Sequence, residues 1–163
     1  MKPAAHVASV PVTAAGGPGD FIELTKPRLN LLVLLTTLGG IYLGSPSGVP
    51  ATVLFHTLVG TALVAGGAAA LNQVWERDTD ALMRRTRTRP LPGGRMGMFE
   101  GTTFGVLLSV VGLMQLAVAV NALSAAVAAL TLVSYVLVYT PLKRRTSLST
   151  LVGGIPGALP PVI

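Results

Sequence analysis

The stretch "VPATVLFHTLVGTALVAGGAAALNQVWERDTDALMRRTRTRPL", Val49 to Leu91, decides the fold. From Val49 to Leu71 it carries no Asp, Glu, Lys or Arg. Between Glu76 and Arg95 the chain then concentrates nine of its eighteen such residues, three acids and six arginines. About twenty apolar residues at 1.5 Å rise cross a ~30 Å hydrocarbon core. The stretch therefore reads as a membrane helix that runs out into a charged block.

Outward from it, three further windows are free or nearly free of charge: Leu29 to Leu43, Gly101 to Asn121 and Ala122 to Thr140. A fifth begins near Ser147 and runs to the end. The first is short and needs its flanks to span; the others are long enough. Of the 163 residues, 51% are hydrophobic and 11% charged, and the mean hydropathy is +0.68. Gly39, Gly40, Gly66 and Gly67 would weaken a soluble helix but let membrane helices approach closely. Four such windows exceed what one soluble core can bury, so the fold class is all-α, a polytopic membrane helical bundle.

The twelve Lys and Arg fall in three places: before the first window, between the second and third, and after the fourth at Lys143, Arg144 and Arg145. The loops between carry none, so the positive-inside rule puts the N-terminus, the block after Asn72 and "KRRT" on the cytoplasmic side. The net charge of +6 follows from this topology and gives no reason to invoke nucleic acid; membrane lipid headgroups or an anionic substrate suit it better. Cysteine is absent, which excludes a disulfide framework, a thiolate metal site and a thiol nucleophile. Residues 1–20 read as a flexible cytoplasmic tail and 21–163 as the membrane domain. Lys26 and Arg28 suit the interface, and Pro27 the first turn of a helix. The last stretch stops inside a hydrophobic segment, so the chain reads as truncated.

If the second helix continues into the block, Asn72, Glu76 and Asp80 are spaced i, i+4, i+8, each about 40° round from the last and about 6 Å further along. An amide oxygen and two carboxylates then share one face. Such ligands suit Mg²⁺, which takes one or two carboxylates plus phosphate oxygens and water. Arg84, Arg85, Arg87 and Arg89 supply guanidinium forks for phosphate, while Pro90 and Pro92 are expected to end the helix. Acids at the mouth of a membrane helix, followed by arginines, are what a departing diphosphate requires; a solvated, positive-inside border with i, i+4 ion pairs is the alternative reading of the same residues.

"NQVWERDTD" resembles the first aspartate-rich motif, N-D-x-x-D-x-x-x-D, of the UbiA superfamily of intramembrane prenyltransferases. "LTKPRLNLLVLLTT", "ERDTDALMRRTRTRPLP" and "YTPLKRRTSLSTLVGGIPGALPPVI" resemble its haem-farnesylating branch, so the likeness runs from Leu24 to Ile163. It implies the N-terminal four to five helices of a nine-helix UbiA-type fold in a bacterial inner membrane. It implies that Asn72, Glu76 and Asp80, with Asp78 less securely, face a Mg²⁺–diphosphate, and that Arg84, Arg85 and Arg89 contact the diphosphate or close over it. Tyr139 and Lys143 match the superfamily's Y-x-x-x-K pattern, a phenol and an ammonium near the same mouth. Gln73 stands where the motif has its first Asp and Glu76 where it has its second, which leaves the number of metal ions open.

The reaction implied is transfer of a farnesyl group from farnesyl diphosphate to a vinyl group of haem B, with water added, giving haem O. Haem B is then substrate, and a haem A synthase or oxidase assembly factor would be the partner. The family's second aspartate-rich motif is not in the chain, so this length alone is expected to be inactive. Two alternatives share parts of the pattern: prenylation of an aromatic acid such as 4-hydroxybenzoate, and a non-enzymatic transport or assembly subunit. His56 reads as packed between helices rather than as a haem ligand; Trp75, Tyr42 and Tyr135 read as interface aromatics. "GGIPGALPP" is either a break lining a cavity or a helix kinked by Pro156.

Overall fold

The computed structural model describes residues 15–45, 47–143, 146 and 149–163, and these are helical with short connections. The expected tail over residues 1–14, together with Arg144 and Arg145, lies outside the described residues. Among the described residues, four helices are long and apolar enough to cross a membrane: α2 (Pro27–Gly44), α3 (Ala51–Leu82), α4 (Met98–Ala119), and a composite made of α5 (Ala122–Val133), a π-helical segment (Ser134–Tyr139) and α6 (Thr140–Leu142). A short α1 (Pro18–Leu24) precedes them; α7 (Ser149–Ala158) and a 3₁₀ turn (Pro160–Val162) follow. Helix α1 begins inside the stretch read as a tail, because Arg95 pairs with Asp20 at 3.2 Å and Glu23 at 2.8 Å.

Alternating helix directions gather the described charged residues at one end of the bundle. The apolar windows leave many large side chains, such as Leu35, Leu107, Met114 and Leu137, on the outer surface. That is the reverse of a soluble bundle and fits a lipid or protein surround.

Helices α3 and α4 form the tightest pair, and glycine makes it. A Cβ on Gly112 would stand 2.8 Å from the Gly60 carbonyl oxygen, and one on Gly67 would stand 2.6 Å from that of Gly105 and collide with the Ser109 hydroxyl. Without a hydrophobic driving force inside lipid, such backbone contact is what holds helices together. Of the four glycines singled out in the sequence, Gly40 meets Pro161 and Gly66 meets Leu108 and Thr25, whereas Gly39 has open space. At the charged end, Leu24, Ala70, Leu91 and Met96 form a small buried cluster joined by Phe21 and Phe104, whose rings meet edge to face at 5.0 Å.

Helix α3 runs eleven residues past its apolar window, as the charged block required, but it stops earlier than expected. Pro90 and Pro92 do not end it. The Thr86 hydroxyl, buried, donates to the Asp80 carbonyl at 2.9 Å, and the Met83 N–H reaches the same carbonyl at 3.2 Å. Met83 is already extended, so the last turn is closed from outside the helix.

Of the two readings of "GGIPGALPP", lining a cavity is the one the structure shows. Pro156 sits inside α7, which lasts ten residues before the 3₁₀ turn, and the segment lines a cavity.

Candidate functional site

A cavity of about 1210 Å³ opens at the charged end between α2, α3, the composite helix and α7. Sites for one drug-sized ligand span roughly 300–1,000 Å³, so this one has room for a long chain or more than one group. Leu29, Val33, Val64, Ala68, Ala128 and Leu132 line its wall with Asn30 and Thr61, and its charged groups, Lys26, Glu76, Asp80, Arg85, Arg89 and Lys143, belong to the charged end.

The i, i+4, i+8 ladder is present. Asn72, Glu76 and Asp80 are buried on α3 and all line the cavity. The Asn72 amide donates to Glu76 Oε2 at 2.8 Å, and Lys143 Nζ donates to Glu76 Oε1 at 3.1 Å. Arg89 pairs with Asp80 Oδ2 at 2.6 Å. Each acid is thus matched to a cation from a different part of the chain, since the loop after α3 folds back to deliver Arg89 and the composite helix delivers Lys143.

Asp78 differs. It sits between these residues in sequence but is exposed and lies away from the cavity lining, because two residues along a helix is about 200° of rotation. Arg84 and Arg87 are likewise exposed and outside the lining, while Arg85 lines it at an exposed position. Gln73 is buried and faces the other way: its amide donates to the Leu24 carbonyl at 2.8 Å, tying α3 to the end of α1. Of the two departures from the motif, Gln73 is therefore a strut here, while Glu76 lines the cavity.

Tyr139 lines the cavity, as does Tyr135, and their rings stack with centroids 5.5 Å apart. Tyr135 was read from sequence as an interface aromatic. Its signal was the spacing Tyr135, Tyr139, Lys143, a second i, i+4, i+8 ladder.

Thr140 was missed altogether. Its hydroxyl donates to Asn72 Oδ1 at 2.9 Å and lies 2.8 Å from the Tyr135 carbonyl. The local cause is Pro141, which has no N–H to give the helix and crowds the carbonyl four residues back. The chain widens into the π-helical segment just before it, and the Thr140 N–H bonds the Tyr135 carbonyl five residues back. That shift in register brings Thr140 to α3. π-turns of this kind recur at functional sites.

Lys26 was read as an interface residue, yet it too lines the mouth. Burial, then the Arg89 guanidinium, draw its pKa from 10.5 down to about 8, with Glu76 and Asp80 pulling the other way. Folded Lys26 releases its proton near pH 8 and an unfolded lysine near 10.5, so between them the unfolded chain holds more protons. Thermal stability of the wild type relative to Lys26→Met is accordingly expected to rise from pH 8 to 10.5, read as paired melting curves in detergent; a flat difference would contradict this.

The donor set fits a hard divalent cation as a partial site. Glu76 has one partner on each oxygen and Asp80 one on Oδ2, which leaves lone pairs on both for a metal. Among the described residues no group of three or more His, Cys, Asp or Glu gathers, so phosphate oxygens and water would complete the coordination, as they do for Mg²⁺. His56 stands apart, near the start of α3, with Nδ1 2.7 Å from the Gln115 amide nitrogen.

An acid ladder interlocked with cations thus stands at one end of a cavity between helices apolar enough to cross a membrane. The UbiA prenyltransferase family model matches residues 33–163, and the chain belongs to that family. It is 50% identical over 159 residues to the protoheme IX farnesyltransferase of Myxococcus xanthus, covering 98% of this chain and 52% of that protein. To the protein of the same name from Solibacter usitatus it is 49% identical, covering 88% and 52%, and to that from Aquifex aeolicus 46% identical, covering 88% and 50%. The chain spans about half the length of these curated relatives. No solved structure matches it.

Proposed function

We propose that this chain forms part of a prenyltransferase that moves a farnesyl group from farnesyl diphosphate to a vinyl group of haem B, with addition of water, giving haem O and diphosphate. The observation that carries it is the Asn72–Glu76–Asp80 ladder, engaged by Lys143 and Arg89 at the mouth of the cavity. The names of the relatives supply the acceptor.

Glu76 and Asp80 would hold Mg²⁺, which when bound neutralises charge that builds on the diphosphate as the C–O bond breaks. Arg89, Lys143 and Arg85 bind phosphate oxygens, and Arg89 and Lys143 on doing so exchange a carboxylate partner for a phosphate one. Asn72, fixed by Thr140, keeps Glu76 turned into the mouth. The apolar wall takes the farnesyl chain and keeps water from the allylic cation until the vinyl carbon has attacked. The stacked rings of Tyr135 and Tyr139 offer π-faces to that positive charge.

By the positive-inside rule the charged end faces the cytoplasm from a bacterial inner membrane. The resemblance implies a second acidic motif that works with this one, and turnover is expected of the full-length protein. The relatives' names carry no haem A synthase or oxidase assembly partner, and that expectation goes no further.

The acceptor is tested with membranes containing the full-length protein, farnesyl diphosphate, and either haem B or 4-hydroxybenzoate. Haem O is the expected product by mass; prenylation of the phenolic acid alone would move the chain to the quinone-precursor reading.

A further inference from the structure

We infer that Lys26 anchors an anionic oxygen group of substrate at the cavity mouth, either the diphosphate of the prenyl donor or a carboxylate of the acceptor. This rests on the prenyl-transfer reading and deepens it.

Among the described residues, Lys26 alone of the non-glycine residues has a left-handed backbone, with φ of 48°. Glycine or asparagine adopts that conformation more readily, so the turn between α1 and α2 does not by itself account for a lysine. Strained backbone of this kind clusters where a side chain must be aimed, and this one is aimed at the cavity, whose lining includes Lys26. Pro27 follows directly as the first residue of α2, so the lysine is fixed at a helix start rather than on a loose loop.

Charge supplies the second argument. The mouth holds two acids, Glu76 and Asp80, and four cations, Lys26, Arg85, Arg89 and Lys143. Arg89 and Lys143 are matched to the acids, and Arg85 is exposed. Lys26 is half-buried and, among the described residues, makes no ion pair. An ammonium held partly out of water, with Glu76 and Asp80 nearby but in ion-pair contact with Lys143 and Arg89 instead, is stabilised by an arriving anion. Burial, then the Arg89 charge, lower its pKa for the same reason: the ammonium has lost water.

The test uses the full-length protein in nanodiscs, with KM for farnesyl diphosphate and for haem B measured separately. Lys26→Gln and Lys26→Gly are expected to raise KM for one of the two by about tenfold or more, the loss of one charge-assisted hydrogen bond, with kcat within about threefold. The substrate affected identifies the anionic group. Lys26→Arg should recover most of the affinity. Lys26→Gly separates charge from backbone: it relieves the left-handed turn and should melt no lower than wild type, yet keep the KM defect. Unchanged KM for both substrates in Lys26→Gln, or a defect in Lys26→Gln that Lys26→Gly cures, would overturn the inference while leaving the prenyl-transfer reading intact. A wild-type protein that transfers no prenyl group to haem B would sink that reading and this inference with it.

Discussion

Glu76→Gln and Asp80→Asn, each made in the full-length protein, are expected to reduce prenyl transfer by about 10²–10³-fold or more, the scale of losing one preorganised electrostatic contact to a developing charge. Both replacements keep the shape of the side chain and remove its charge. Glu76 accepts from Asn72 and from Lys143, and Asp80 from Arg89, so each variant also leaves a cation at the mouth without its carboxylate. That cation still attracts diphosphate. Substrate affinity without metal should therefore fall far less than turnover, and the defect should sit in kcat and in Mg²⁺ dependence. Single-turnover kinetics with purified protein measure this, and melting curves separate it from misfolding. Wild-type turnover in both variants would contradict the enzymatic reading.

Gly67→Val is expected to be the most damaging substitution for the fold. The Gly67 Cβ position already lies 2.6 Å from the Gly105 carbonyl oxygen and 2.9 Å from the Ser109 amide nitrogen, and those backbone groups have no rotamer to change. A valine must push α3 and α4 apart, which costs at least the ~1–3 kcal/mol typical of overpacking. Because α3 carries Asn72, Glu76 and Asp80, the site loses its register with the pair. Gly39→Val is the control, since nothing stands within 4 Å there. Thermal unfolding in detergent should show Gly67→Val melting well below wild type and Gly39→Val close to it; equal melting would contradict glycine-mediated packing of α3 on α4.

Much of this was legible in the sequence, because membrane helices announce themselves by length and apolarity. The windows at Leu29, Val49, Gly101 and Ala122 became α2, α3, α4 and the composite helix, and the helical period put Asn72, Glu76 and Asp80 on one face. The same period turns Asp78 elsewhere, and only the family resemblance kept it as a less secure member. What was not legible depended on chain reversal. Arg89 reaches Asp80 because the loop after α3 turns back under the hold of Thr86, while Arg84 and Arg87 in the same arginine run stay outside. Thr140 reaches Asn72 through a π-turn whose cue, Pro141, marks a disturbance without saying which residue it will present. Lys26 looked like an interface lysine because nothing in "LTKPRL" betrays a left-handed backbone.

Farnesyl diphosphate binding by the full-length protein, titrated with and without Mg²⁺ for wild type and for a Glu76→Gln/Asp80→Asn double variant, tests most directly that the charged block is a diphosphate site. Wild type should bind at least about tenfold more tightly with Mg²⁺, and the double variant should lose that metal-dependent gain while keeping its weaker, metal-free binding. An undiminished metal-dependent gain in the double variant would show that the ladder is not where the metal and diphosphate meet.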